Sequence, residues 1–189
     1  MKRWARAGMV GLVFLTACGA PAGQPRQEVL VLRHVQEAAQ RGEVGTVEGY
    51  LYLTHPAIPI PLRDSSVTLI PLPPALEAAV ARAKDQFLAR GRVPLSASAL
   101  DLARRPITDY IKRLQAAGHT GLTRTVQTES GPDPKFTFQD VAQGRWLLLA
   151  GLPSTISVLL WAVPVTVTSG EVTRQSLNDT NIWLEGLTR

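Results

Sequence analysis

One cysteine in 189 residues is the sharpest shortage in this chain. A lone thiol excludes an internal disulfide and any cysteine-rich zinc centre. Charge is sparse as well, with 19% charged residues against 45% hydrophobic ones. So apolar a composition excludes a disordered chain, and the glycines follow no three-residue period, which excludes a collagen-like one. The three histidines, His34, His55 and His119, stand apart, with no H-E-x-x-H or paired spacing. Zinc and nucleophile–base sites need partners placed together, and the sequence offers none. Ser130 and Ser154 lack a G-x-S-x-G setting, and Asp64, Asp133 and Asp179 lack calcium-loop spacing. The expectation is a non-catalytic chain with no metal site and no cofactor.

The length suits one compact domain with appendages, able to bury about 70% of its unfolded surface. A net charge of +5 invites a nucleic-acid reading. Lys2, Arg3 and Arg6 account for most of it, and without residues 1–17 the balance is 17 basic to 15 acidic side chains. Elsewhere Arg82, Lys84 and Arg90 alternate with Glu77 and Asp85, whereas a polyanion binder clusters its cations to displace counterions. No nucleic-acid partner is expected.

The basic residues precede an apolar run from Ala7 to Ala17, the layout of an export signal. The run is too short to span a bilayer. It ends in Leu15-Thr16-Ala17-Cys18, which resembles the lipobox of bacterial lipoproteins. The resemblance implies that residues 1–17 are a cleaved signal peptide and that Cys18 becomes the acylated first residue of the mature protein. Its membrane-lipid partner would be held by two or three acyl chains. Each buried methylene contributes about 0.8 kcal/mol, so more than one chain gives a stable anchor. An ordinary signal peptide with an incidental cysteine is the alternative. By analogy with enterobacterial lipoproteins, Gly19 in place of Asp points to the periplasmic face of the outer membrane; the inner membrane and the cell surface are the alternatives. Residues 18–27, rich in Gly, Pro and polar groups, read as a flexible tether.

Val29, Leu32, Val35 and Ala39 repeat at helical spacing before Gly42, which predicts a short helix over residues 28–43, although Val29 to Leu32 could also form a strand. From Thr46 to Thr54 the period is two: Val47, Leu51 and Leu53 share one face, and Glu48, Tyr50, Tyr52 and Thr54 the other. A proline-rich stretch, His55 to Pro61, should end that strand, and Val67 to Pro71 forms a second. A helical interlude occupies residues 74–120. Its stripes are Leu76, Ala79, Val80, Ala83 and Phe87, then a unit from Leu100 to Arg104, then a third started or kinked by Pro106 and ended by Gly118. Such short helices make little core alone and should dock on a sheet. Arg104-Arg105 reads as a partner contact or a solvated helix end. Strand patterns return at Phe136 and Phe138, turn at Asp140 to Gly144, and continue through Arg145–Ala150, Val158–Ala162, Val163–Val167 and a last strand from Glu171 to Leu177. Trp146 to Gly170 carries no charge, but its prolines, hydroxyls and alternation favour buried strands over a membrane span.

Within these strands, Thr128-Glu129-Ser130-Gly131 and Phe136-Thr137-Phe138-Gln139-Asp140-Val141-Ala142-Gln143-Gly144-Arg145-Trp146 resemble the signature of carboxypeptidase regulatory-like domains. Pro164 to Glu171 is similar to the family's "V-x-V-x-x-G-E" hairpin, and Gly45-Thr46-Val47-Glu48-Gly49 to its opening strand. The resemblance implies a mainly β fold: a seven-stranded antiparallel, Ig-like or prealbumin-like β-sandwich over residues 44–73 and 123–184, with an inserted two- to three-helix segment the family does not usually have. Glu129 in place of Asp, the Pro132-Asp133-Pro134 extension and Trp146 in place of Tyr depart from the pattern. Hydroxyisourate hydrolases share the fold, but their Tyr-Arg-Gly-Ser motif is absent.

Aromatic residues give the one binding signal. Tyr50 and Tyr52, with Trp183, could stack on sugar rings or anchor a partner. The simpler reading covers both tyrosines with the inserted helices and sinks Trp146 and Trp161 in the core. Three functions follow: a lipid-anchored, non-catalytic structural or protein-interaction module of the cell envelope; a carbohydrate- or peptidoglycan-binding lipoprotein using exposed aromatics; and an envelope hydrolase.

Overall fold

The computed structural model describes residues 24–55, 58–90, 94–153 and 157–187. Helix α1 (Gln24–Gln40) leads into strand β1 (Val44–Tyr50), the pair β2 (Tyr52–His55) and β3 (Ile58–Pro61), and β4 (Ser66–Pro71). Helices α2 (Pro74–Ala89) and α3 (Ala97–Ala116) follow. The chain then returns to strands β5 (Arg124–Gln127), β6 (Lys135–Ala142), β7 (Gly144–Pro153), β8 (Ser157–Val167), β9 (Val172–Arg174) and β10 (Ile182–Leu187).

The strands form a small sheet ordered β6-β1-β9, a large sheet ordered β10-β8-β7-β4-β5, and the β2-β3 ribbon. All pairings are antiparallel except β1 with β9. Period-two alternation deals the large sheet's side chains to two cores. Val67, Leu69, Trp146, Leu148, Trp161 and Val165 meet Val47, Phe136, Phe138 and Val141 of the small sheet. Ile70, Leu147, Ala162, Trp183 and Leu184 face the other way, against Leu76, Val80 and Phe87 of α2 and Leu100, Ile107, Tyr110 and Leu114 of α3. The Trp146–Ala150 stretch of the uncharged run is therefore apolar because both of its faces are covered. Helix α1 straddles the two cores, sending Val35 and Ala38 into the first and Leu32 into the second.

Two glycines explain the spacing at the start of β1. A Cβ at Gly45 would strike the Thr168 and Glu171 carbonyls, and one at Gly49 the Gln175 carbonyl. Both positions must stay bare for the β9 segment to run beside β1.

Several expectations need correction. Ten strands are present among the described residues, not seven. The Ile58-Pro59-Ile60-Pro61 segment, read as a strand terminator, is itself a strand. Leu62 donates its backbone N–H to the Leu51 carbonyl, so the same-parity Ile60 and Ile58 also turn their N–H groups toward β2. Pro59 and Pro61 fall on the outer edge of the ribbon, where a missing donor removes no bond and blocks pairing with another strand. The expected last strand, residues 171–177, shortens to β9 plus a bridge between Leu51 and Leu177, and β10 follows it. Helix α3 runs unbroken through Pro106 because Leu100, Ile107, Tyr110 and Leu114 bury along one stripe on both sides of it. Arg104 and Arg105 thus sit in mid-helix, paired with Asp101 and Asp109. Residues 24–27, expected within the tether, are the first turn of α1, where Pro25 loses no helical bond. Residues 1–23, including Cys18 and the expected signal peptide, lie outside the described residues. No helix among the described residues is long and apolar enough to cross a membrane.

Candidate functional site: a tyrosine–proline cleft

Tyr50 and Tyr52 alternate with the fully buried Leu51, so burial of Leu51 turns both phenols to the outer side. The inserted helices do not cover them, contrary to the simpler sequence reading, because those helices dock on the far face of the large sheet. Tyr50 is 42% exposed. The two rings line a cleft of about 400 Å³ with Pro59, Pro61, Pro132, Asp133 and Pro134, within the usual range for small-ligand sites of about 300–1,000 Å³.

Its position follows from backbone pairing. Tyr52 opposes Pro61, and Thr54 opposes Pro59, which puts both ribbon prolines on the tyrosine side. Across β1, Tyr50 pairs with Lys135, and the Leu51 N–H donates to the Pro134 carbonyl, which brings in the Pro132–Pro134 segment. The wall is pinned from behind. Tyr52 N–H donates to the Leu177 carbonyl, and Asn178 Nδ2 donates to the Tyr52 hydroxyl at 3.1 Å. Asn178 also caps the short turn Asp179–Asn181, and the Thr54 N–H donates to Asp179 Oδ1 at 3.2 Å. Hydrogen bonding from Thr54 holds the Asp179 carboxyl below its usual range.

Beside Tyr50, Glu48 accepts from Lys135 Nζ at 2.7 Å and from Arg174 Nε at 2.9 Å. The bond from Lys135, reinforced by Arg174, lowers the Glu48 pKa and raises that of Lys135. This network fixes the three strands of the small sheet to one another across their outer face.

Trp183 does not join the site. It is 2% exposed in the helix-covered core, and its Nε1 donates to the Val80 carbonyl at 3.0 Å. Its place on β10 faces α2, so the sequence expectation of an exposed tryptophan is corrected. Trp146 and Trp161 are buried in the sheet-to-sheet core. The histidines stay apart: His34 is exposed on α1, His55 ends β2, and His119 Nδ1 meets Gln36 Nε2 at 3.1 Å. Ser130 donates to Asp64 rather than to a histidine, and no group of three or more metal-ligating side chains occurs among the described residues. The prolines and Asn178 were missed as site residues. The Ile-Pro-Ile-Pro alternation and the Pro-Asp-Pro extension were visible, but nothing local says they meet.

The cleft thus offers phenol and pyrrolidine faces for apolar contact, and the Asp133 carboxylate and phenol hydroxyls for hydrogen bonds. It holds no nucleophile with a base.

No protein-family model matches the chain, and no curated protein matches it. Among solved structures it is similar to a Pseudomonas aeruginosa protein provisionally described as carbohydrate-binding, with a TM-score of 0.44 and 16% identity, over 77% of this chain and 95% of that one. It is also similar to the minor pilin GBS52 of Streptococcus agalactiae, with a TM-score of 0.38 and 8% identity, over 72% of this chain and 44% of that one.

Proposed function

We propose that the chain is a lipid-anchored, non-catalytic binding module of the bacterial cell envelope, built on a carboxypeptidase regulatory-like sandwich, whose cleft takes a saccharide such as the glycan strand of peptidoglycan. One observation carries this reading: Tyr50 and Tyr52 stand uncovered in a pinned cleft with prolines and one carboxylate. A sugar ring presents C–H groups on its face and hydroxyls on its rim, and aromatic faces with a polar margin complement both. The anchor reading rests on the Leu15–Cys18 motif, with the periplasmic face of the outer membrane as its destination.

Binding of the full chain to purified peptidoglycan and to a panel of soluble oligosaccharides tests the proposal. Retention that Tyr50→Ala abolishes is expected; equal retention of both proteins overturns the cleft as the site. Membrane fractionation of Cys18→Ser tests the anchor, which fails if the variant fractionates like the parent. A protein partner is the second reading, supported by Ile58 and Ile60, 72% and 45% exposed on the ribbon. Cross-linking from Ile58 to an envelope protein, with no glycan retained, would favour it.

A further inference from the structure

We infer that the end of the molecule formed by the first half of α1 and the last turn of α3 is a lipid-contact surface, lying on an anionic bilayer with Val29 and Leu30 in its interfacial layer. The inference deepens the anchor reading and rests on it. Helix α1 spends its inner face on the protein, burying Leu32, Val35 and Ala38. Yet Val29 and Leu30, one turn nearer its N-terminus, are 63% and 51% exposed. Beside them a groove of about 500 Å³ runs between α1 and α3, its apolar floor made by Val29, Leu32, Leu114 and Ala117. The fold gives this patch no cover.

Covalent reach and charge both identify the occupant. Six residue steps separate Cys18 from Gln24, so an acylated Cys18 keeps the start of α1 within about 20 Å of the lipid. Arg26 and Arg33 flank Val29 and Leu30 on α1, Arg113 lines the groove, and all three are exposed. Glu28, in the groove, pairs with Arg113, and Glu37 with Arg33 and Arg41, which leaves this end a small cationic excess from Arg26. Apolar side chains rimmed by cations match an interface of acyl chains under anionic headgroups.

The test places a fluorophore at Leu30→Cys or at Gln139→Cys, the latter on the exposed outer face of the small sheet. Each full chain is purified from membranes and reconstituted in phosphatidylethanolamine–phosphatidylglycerol vesicles carrying spin-labelled lipid. Expected is at least threefold stronger quenching at position 30 than at position 139. Adding Val29→Ser and Arg26→Ser to the position-30 protein should cut that quenching by half or more. Equal quenching at 30 and 139 overturns the surface. Intact mass of the same samples reads Cys18 independently: unmodified sulfur with strong quenching at position 30 overturns the anchor and leaves the surface standing.

Discussion

The two sheets turn opposite kinds of outer face to their surroundings. The large sheet presents Leu147, Ala162, Trp183 and Leu184, and α2 and α3 cover them. The small sheet presents Tyr50 beside Glu48, Lys135 and Arg174, the last two bonded to Glu48, and no helix among the described residues covers them. Tyr50 and Trp183 look alike in the sequence, each an aromatic on a strand, and the presence or absence of a third layer decides what each does. A covered aromatic stabilises the fold; a bare one is available to a ligand. The proposed ligand site lies on the face those two helices leave bare.

The largest expected effect tests the covered side. Trp183→Ala removes a fully buried indole and should destabilise the protein by about 3–5 kcal/mol, read by urea unfolding. A loss under about 1 kcal/mol would break the layer assignment. Next comes the frame of the bare sheet. Gly49→Ala drives a methyl group into the Gln175 backbone, which cannot yield without displacing β9. Such overpacking costs about 1–3 kcal/mol or more, and hydrogen exchange should rise at Gln175 and Leu177 before it rises in β7. Uniform exchange would mean that β9 does not depend on the glycine.

Much of this contrast was legible beforehand. The alternation from Val47 to Thr54 assigned the faces correctly, because one buried face suffices to impose period two, although the single strand expected there divides into β1 and β2 of different sheets. The doubly apolar run after Arg145 announced a strand covered on both sides, and the helical stripes announced their docking. What escaped was long-range. Proline usually ends strands, and only the pairing of Leu62 with Leu51 shows that Pro59 and Pro61 occupy an outer edge. Trp183 carries no local sign that α2 returns to cover it. The cleft joins segments as distant as Tyr52 and Asn178, and no local pattern encodes that meeting.

On the bare side, stability and binding should separate. Tyr50→Ala truncates an exposed ring, so unfolding should move by no more than about 0.5 kcal/mol, while saccharide binding falls about tenfold or more by titration calorimetry, equivalent to about 1.4 kcal/mol. A fall in stability as large as that of Trp183→Ala would mean that Tyr50 is covered and the contrast is false.

The smallest expected effect is on the pH dependence of the bare face. Lys135 holds the folded Glu48 carboxyl below its unfolded value. Its contribution is therefore complete above the ordinary glutamate range and is lost as pH falls through the lower folded value. Lys135 shifts upward, so its contribution is complete below the ordinary lysine range and is lost as pH rises through the higher folded value. Neutral pH lies on the plateau between them. On the covered face, burial pushes the Tyr110 phenol further above neutrality, so it stays uncharged throughout. Glu48→Gln should accordingly lower the thermal midpoint slightly at pH 7. That difference should close in acid, where a protonated Glu48 resembles the glutamine. Arg174 is 77% exposed, and solvent screening keeps such exposed pairs weak, so added salt should narrow the gap at pH 7 as well. Parallel midpoint curves across the acid range would show that Glu48 does not tie the small sheet together, and that its outer face is held by the backbone ladder alone.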